Sequence, residues 1–364
     1  TNSSLFYTLY SAGGNNPNAT TNTSNLNTSN PLILWLQGGP GCSSWLGNIG
    51  EFGPMSASYN ATTNTTSLNS NPYSWVGTNH LLFVDQPIGT GFSFGNNETQ
   101  NNTVSSSIYL ENFLIEFFKV YPELTNKPFY ITGESYAGHY IPGIIARLVA
   151  NKAVNNINVT GVAIGNGLVA PIHQLNWDNT AYAAGLIDPN QRAQISQAEI
   201  QSFISNTNGA WSDANDGMDN ALGLVGQFSF GVDIDNFRQY PEDGPDALGL
   251  YLANMTNRQI LNIDPSVDFY ACGGPVGGLY ASDVPQDYST NLSYVLNADP
   301  SVKVLIYTGS DDIICGTTGQ LTWIKNMAWS GVPQYLQANK TAWKLDDGTV
   351  AGTVKSYQQF TYAQ

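Results

Sequence analysis

Positive charge is what this chain has least of. Twelve Lys and Arg stand against 27 Asp and Glu, giving a formal charge of −15 and a pI near 4.3. Such a surface should repel nucleic-acid phosphates and anionic membrane surfaces, which discounts both as partners. Charge of either sign is sparse at 11% of residues, so polarity comes from Asn, Thr, Ser and Gln instead. No apolar run approaches the ~20 residues that span a bilayer. No signal peptide opens the chain, which reads as a soluble mature form without a membrane span. Cysteine is limited to Cys42, Cys272 and Cys315. In an oxidising compartment that odd count gives one disulfide and one free thiol, and spacing alone leaves the pairing open. Without a Cys-x-x-Cys pair or a histidine cluster, a metal site is not expected, nor is a cofactor.

The core, by contrast, is well supplied. Hydrophobic residues make up 41% of the chain and aromatics 12%, which rules out a disordered chain. At 364 residues there is room for one large α/β domain with an insertion, or for two domains. Leu5 to Tyr10 reads as a short strand, and Pro31 to Leu36 and Leu81 to Val84 as strands buried on both faces. Residues 104–121 carry Phe113, Phe117 and Val120 at helical spacing. Further strands are expected at Pro128 to Thr132, Val159 to Ile164, Val302 to Tyr307 and Ser356 to Tyr362. Alternation with helices implies a mostly parallel sheet covered by helices on both faces, with its site at the carboxyl ends of the strands. From about 172 to 285 the chain turns polar and helix-like. The expected division is therefore a core over 1–171, an inserted and mainly helical cap over 172–285, and the rest of the core over 286–364.

The stretch Gly133-Glu134-Ser135-Tyr136-Ala137-Gly138-His139-Tyr140 joins one expected strand to an apolar helix. Strand, tight turn carrying a serine, helix is the context of a nucleophile elbow, where small residues let the two backbones meet. Gly38-Gly39, after the first buried strand, offers a backbone N–H for an oxyanion hole, and the N–H of Tyr136 offers another. Asp312, after a late strand, suits the orienting acid in the chain order Ser, Asp, His.

Twelve Asn-x-Ser/Thr sequons mark Asn2, Asn18, Asn22, Asn27, Asn60, Asn64, Asn97, Asn101, Asn158, Asn254, Asn291 and Asn339. Their clustering in the loop-like stretches 15–30, 58–71 and 96–103 points to N-linked glycans and a secretory route.

The motifs Trp35-Leu36-Gln37-Gly38-Gly39-Pro40-Gly41-Cys42-Ser43-Ser44, Val84 to Ser93, Gly133 to Tyr140, Gly165-Asn166-Gly167 and Gly309 to Cys315 together resemble the serine carboxypeptidase family. These are α/β-hydrolases that remove C-terminal residues at acidic pH. The resemblance spans nearly the whole chain, the cap matching only in position. It implies Ser135 as nucleophile, Asp312 as triad acid, and the N–H groups of Gly39 and Tyr136 as oxyanion hole. Trp35, Gln37, Gly38, Glu51 and Glu134 fall where the family binds the substrate's terminal carboxylate. A Cys42–Cys272 disulfide is implied too, with Cys315 unpaired near the pocket. Substrates would be peptide or protein C-termini, the compartment a lysosome, a vacuole or the exterior, and a homodimer possible.

Three departures stand out. Gln37 replaces the family's usual Asn, moving the amide by a methylene. The family's Gly-Asp-x-Asp reads Gly-Ser-Asp-Asp at residues 309–312. Most important, the only histidines are His80, His139 and His173, and none follows Asp312. The family's base lies just after its last strand, where this sequence stops, so the expectation is an incomplete copy of a complete enzyme. Taken literally, the 364 residues should show little activity, because Ser135 lacks its base. The alternatives are a catalytically silent glycoprotein with a binding role and an acyltransferase on the same fold.

Overall fold

In the computed structural model, residues 3–13, 26–95, 100–241 and 245–364 are described, apart from the side chain of Pro275. Strands fall at β1 (Tyr7–Tyr10), β2 (Leu32–Leu36), β3 (Met55–Asn60), β4 (Thr65–Ser70), β5 (His80–Val84) and β6 (Phe129–Glu134). They continue with β7 (Val159–Gly165), β8 (Lys303–Tyr307), β9 (Thr341–Lys344), β10 (Val350–Tyr357) and β11 (Phe360–Ala363). Nine of them form one sheet in the order β1-β5-β2-β6-β7-β8-β11-β10-β9. The pairs β2–β5, β2–β6 and β8–β11 are parallel, whereas the outer pairs β1–β5, β10–β11 and β9–β10 are antiparallel. This is an α/β-hydrolase fold: a large, mostly parallel sheet with helices and an additional helical region.

Two compact units divide the chain. The first comprises Thr1–Gly133, Ala150–Gly161 and Asp243–Leu279. Its strands β2 and β5 are continuous apolar runs because they are hidden on both faces; every residue of β5 is buried. Helix α1 (Thr103–Val120) starts where Asn102 accepts the Ser105 N–H at 2.8 Å, an N-cap made by the residue type suited to it. Its inward stripe is Leu110, Leu114 and Phe117. Glu111 lies on the same buried side, and Asn151 and Asn155 donate to its carboxylate at 3.0–3.2 Å. Trp35, Phe52, Phe83 and Trp75 form an aromatic stack, with ring centroids 4.2–6.1 Å apart.

The second unit comprises Glu134–Val149, Val162–Glu242 and Tyr280–Gln364. Its longest helices, Pro189–Thr207 and Trp211–Phe228, pack face to face. A Cβ on Gly217 would meet Ser202 at 2.8 Å, so glycine is what permits that approach. The first of these helices opens with a capping box between Asp188 and Gln191 and has Pro189 in its first turn. Among the described residues, 172–285 contains helices and turns and no strand.

Two expectations need correction. Residues 58–71 are not a loop: β3 and β4 form an antiparallel hairpin across them, and Asn60 and Asn64 flank its turn. Its second strand, Thr-Thr-Ser-Leu-Asn-Ser, is mostly exposed, so it shows no apolar run. Residues 356–362 are not one strand either. The chain reverses at Gln358-Gln359, with Gln358 at φ 52°, and separates β10 from β11. Of the sequon residues, Asn2, Asn18, Asn22 and Asn97 lie outside the described residues; Asn27, Asn60, Asn64, Asn101, Asn158, Asn254 and Asn339 are exposed and Asn291 is half-buried.

Phe360 of β11 is fully buried against Trp329 and Tyr335, with ring centroids 5.6 and 5.1 Å away. Phe360→Ala is expected to cost about 3–5 kcal/mol, measured as a fall in denaturant midpoint or Tm.

Candidate active site

Ser135 sits between β6 and helix α2 (Ala137–Ala150) with φ 57°, a left-handed conformation that a non-glycine residue adopts only under constraint. Three backbone hydrogen bonds hold it there. Its N–H donates to the Gly165 carbonyl at 3.1 Å, and its carbonyl accepts from Gly138 and Leu168, each at 2.9 Å. Close packing does the rest: a Cβ on Gly138 would meet the Leu168 backbone at 2.5 Å. Gly165 is equally constrained, since a Cβ there would reach the Tyr307 ring at 2.4 Å. The small residues of the elbow and of Gly165-Asn166-Gly167 are thus two halves of one contact. Among the described residues, the Tyr136 N–H makes no hydrogen bond, which leaves it available as a donor beside Ser135.

Asp312 lies in the loop after β8, buried, with both carboxylate oxygens engaged. The Cys315 N–H donates to Oδ1 at 2.8 Å and Asn166 Nδ2 donates to Oδ2 at 2.6 Å. Asn166 also accepts the Gly309 N–H at 2.8 Å, so it pins the acid's loop at two points. The residue was visible in a glycine-flanked motif, but nothing in its local sequence indicates that it orients the acid. Burial pushes the Asp312 carboxyl up to about 7, against the lowering effect of its two hydrogen bonds. Segment 232–239 runs along this loop: the Ile313 N–H donates to Ile234 O and the Phe237 N–H to Asp311 O, each at 2.9 Å. Cys315 is a buried free thiol there, its pKa raised well above the ordinary value by burial and by the nearby Asp312 and Asp235 carboxyls.

In the first unit, Cys42 is disulfide-bonded to Cys272. The loop carrying it is tightly wound: Gly39 has φ 113°, and a Cβ there would meet the Cys42 nitrogen at 2.7 Å. Among the described residues, the Gly39 N–H has no hydrogen-bond partner either. Beneath the loop, the buried Asp85 accepts from Ser43 Oγ at 2.6 Å, the Ser44 N–H at 2.9 Å and the Phe92 N–H at 3.0 Å. Burial raises its pKa to about 6 in spite of these donors. Trp35 Nε1 and the Gly47 N–H converge on Gln37 Oε1 at 2.8 and 3.1 Å. That convergence fixes the amide's orientation and turns its NH2 the other way. Gly38 accepts the Cys42 N–H, and Glu51 lies exposed on the turn Leu46–Phe52. Glu134 ends β6, next to Ser135, and is half-buried.

His80 and His139 are committed elsewhere. His80 accepts the Ala12 N–H at Nδ1 and meets the Thr28 hydroxyl at Nε2. Both ring nitrogens of His139 face backbone carbonyls, of Leu168 and Val284. Among the described residues, no histidine, His173 included, hydrogen-bonds to Ser135 or Asp312. Nor do they include a cluster of three or more His, Cys, Asp or Glu able to hold a metal, or a helix long and apolar enough to cross a membrane.

A serine on a strained strand-to-helix turn with a spare adjacent N–H, in this fold, defines an α/β-hydrolase-type candidate site. The serine carboxypeptidase family model matches residues 1–364, and the chain belongs to that family. It is 32% identical over 360 residues to serine carboxypeptidase-like 50 of Arabidopsis thaliana, covering 98% of this chain and 77% of the relative. To carboxypeptidase Y of Saccharomyces cerevisiae it is 32% identical over 354 residues, covering 91% of this chain and 65% of the relative. The crystal structure of a prohormone-processing carboxypeptidase from Saccharomyces cerevisiae superposes with a TM-score of 0.82 at 24% identity, covering 99% and 81% of the two chains; this likeness concerns the fold.

Buried acids give the structure a defined response to pH. Asp85, Glu199 and Asp312 ionise near 6, 7 and 7, from ordinary values of 3.8, 4.5 and 3.8, burial being the largest cause in each case. Between those limits the folded chain holds more protons than the unfolded one, so stability falls as pH rises through the window. Tm measured at pH 5 is expected to exceed that at pH 7.5 by several degrees, with little further change from 7.5 to 8.5.

Proposed function

We infer that this protein is a serine carboxypeptidase that releases C-terminal residues from peptides at acidic pH through an acyl-enzyme on Ser135. The observation that carries this reading is the elbow itself: Ser135 held at φ 57°, with the Tyr136 N–H uncommitted. In the mechanism, Ser135 Oγ attacks the scissile carbonyl while a general base takes its proton. The N–H groups of Gly39 and Tyr136 receive the developing oxyanion, and the base returns the proton to the departing amine. Water then opens the ester by the same route. Asp312 is the acid that orients the base, with Asn166 keeping its carboxylate aimed. The base is a group that hydrogen-bonds Asp312, a role that His80, His139 and His173 do not fill among the described residues.

Trp35, Gln37, Gly38, Glu51 and Glu134 are proposed to hold the substrate's terminal carboxylate. A protonated glutamate donates to that carboxylate, whereas an ionised one repels it, which supports an acid preference. Exposed sequons and the Cys42–Cys272 bond support a glycosylated protein of the secretory route, in a lysosome, a vacuole or the exterior.

A second reading, a catalytically silent glycoprotein with a binding role, is favoured by the absence of a histidine on Asp312 among the described residues. Fluorophosphonate labelling with peptide mapping separates the two, because only an activated serine reacts. The inferred activity predicts labelling at Ser135 and release of the C-terminal residue from blocked dipeptides, both lost in Ser135→Ala. No label and no release would favour the silent protein, and transfer of the acyl group to an alcohol without hydrolysis would favour an acyltransferase. For the active protein, peptide KM is expected to rise from pH 4.5 to pH 7.5, and Glu134→Gln is expected to flatten that rise. A KM independent of pH would refute the glutamate roles.

A further inference from the structure

Behind the elbow lies a polar cluster that no step above uses. Asp283 is only 1% exposed, yet both of its carboxylate oxygens are paired with tyrosine hydroxyls. Tyr136 donates to Oδ2 at 2.6 Å and Tyr288 donates to Oδ1 at 2.7 Å. Both distances are those of well-formed O–H···O hydrogen bonds. The Tyr136 ring is stacked on His139 at 4.4 Å and meets Tyr140 and Tyr280 edge-on at 5.0 and 6.0 Å. His139 is tied in turn to the Leu168 and Val284 carbonyls, one residue on from Asp283 in the latter case. The Tyr288 N–H donates to Val169 O at 2.9 Å, which closes the cluster on the segment that also binds the Ser135 backbone.

Tyr136 follows the nucleophile, and its N–H lies in the peptide plane between them. Ser135 is strained, so that plane relaxes unless both sides are held. The Ser135 side is held by Gly165, Gly138 and Leu168, as described. On the Tyr136 side the backbone N–H is uncommitted, the carbonyl accepts the His139 N–H at 2.9 Å, and the phenol gives a second, distant fixed point on Asp283. We propose that Asp283 is a positioning residue for the reaction: by gripping the Tyr136 phenol, it aims the Tyr136 N–H at the oxyanion. This rests on the carboxypeptidase reading of Ser135 and deepens it.

A network that merely stabilises the fold would change Tm and leave each correctly folded site as fast as before. Turnover must therefore be measured per active site, titrated with the fluorophosphonate. Tyr136→Phe removes one oxygen and Asp283→Asn keeps the shape of the side chain, so both variants preserve the packing. Each is expected to lower kcat per titrated site by roughly 10- to 100-fold, the scale of a displaced oxyanion donor. KM should stay within about twofold by the same reasoning, since the substrate's ground state does not use that donor. A peptide boronate, which mimics the tetrahedral state, should lose affinity in parallel with kcat, while a ground-state product inhibitor should not. Phe360→Ala serves as the control that lowers Tm without touching the cluster, and its kcat per site should match the native protein. If Tyr136→Phe and Asp283→Asn lose Tm but keep native kcat per site and boronate affinity, the positioning role is wrong and the serine chemistry stands. If the native protein itself neither labels nor binds the boronate, the carboxypeptidase reading fails and this inference fails with it.

Discussion

The constraint on which the second unit's chemistry depends is the left-handed backbone of Ser135. A serine at φ 57° pays of order 1–3 kcal/mol relative to an ordinary conformation, so the surroundings must over-determine it. They do so through backbone rather than side-chain contacts. β7 supplies the Gly165 carbonyl, the turn after it supplies the Leu168 N–H, and the first turn of α2 supplies the Gly138 N–H. Gly138 can bear no side chain because the Leu168 main chain lies against it, and Gly165 can bear none because the Tyr307 ring fills the space. The same turn that strains the serine carries Asn166 next to it in sequence, and Asn166 reaches the Asp312 carboxylate. The strained backbone of Ser135 and the orientation of the Asp312 carboxylate are consequently both set by one segment, 165–169.

A second theme is the number of carboxyls held out of water. Asp85, Glu111, Glu199, Asp283 and Asp312 are all buried, each with hydrogen-bond donors around it. Among the described residues, Asp85, Glu199 and Asp312 take hydroxyl, amide and backbone donors and no Lys or Arg, whereas the equally buried Asp178 pairs with Arg192 at 3.2 Å. Amide, hydroxyl and backbone donors do what cations do elsewhere. Such donors only partly offset the loss of hydration, which is why burial dominates the raised pKa values of Asp85, Glu199 and Asp312.

Much of this was legible in the amino-acid sequence because the central strands are buried on both faces. Pro31 to Leu36 and Leu81 to Val84 stand out as unbroken apolar runs, and the glycines of the elbow announce a close approach of backbones. What was not legible has equally specific causes. β4 alternates among Thr, Ser and Asn on a largely exposed hairpin, so no hydrophobic pattern marks it. The break between β10 and β11 falls at Gln358-Gln359, a turn without glycine, proline or asparagine to signal it. Asn166 and Asp283 act through partners 146 and 147 residues away, and no local pattern encodes such a contact.

Histidine use sharpens the question of the base. His139 lies four residues past Ser135, and the family resemblance implies a structural role for it. The structure gives the physical reason: Leu168 and Val284 present a carbonyl oxygen to each ring nitrogen. A neutral imidazole has only one N–H, so it satisfies one carbonyl and turns a lone pair toward the other. Burial lowers its pKa, while Asp283 and the two carbonyls work in the opposite direction. Whichever form it takes, neither nitrogen is directed at Ser135 Oγ or Asp312. The histidine nearest Ser135 in sequence thereby serves to hold the elbow. In the proposed mechanism, the proton of Ser135 therefore goes to a group other than these histidines, one that hydrogen-bonds Asp312, whose carboxylate Asn166 and the Cys315 N–H hold in place.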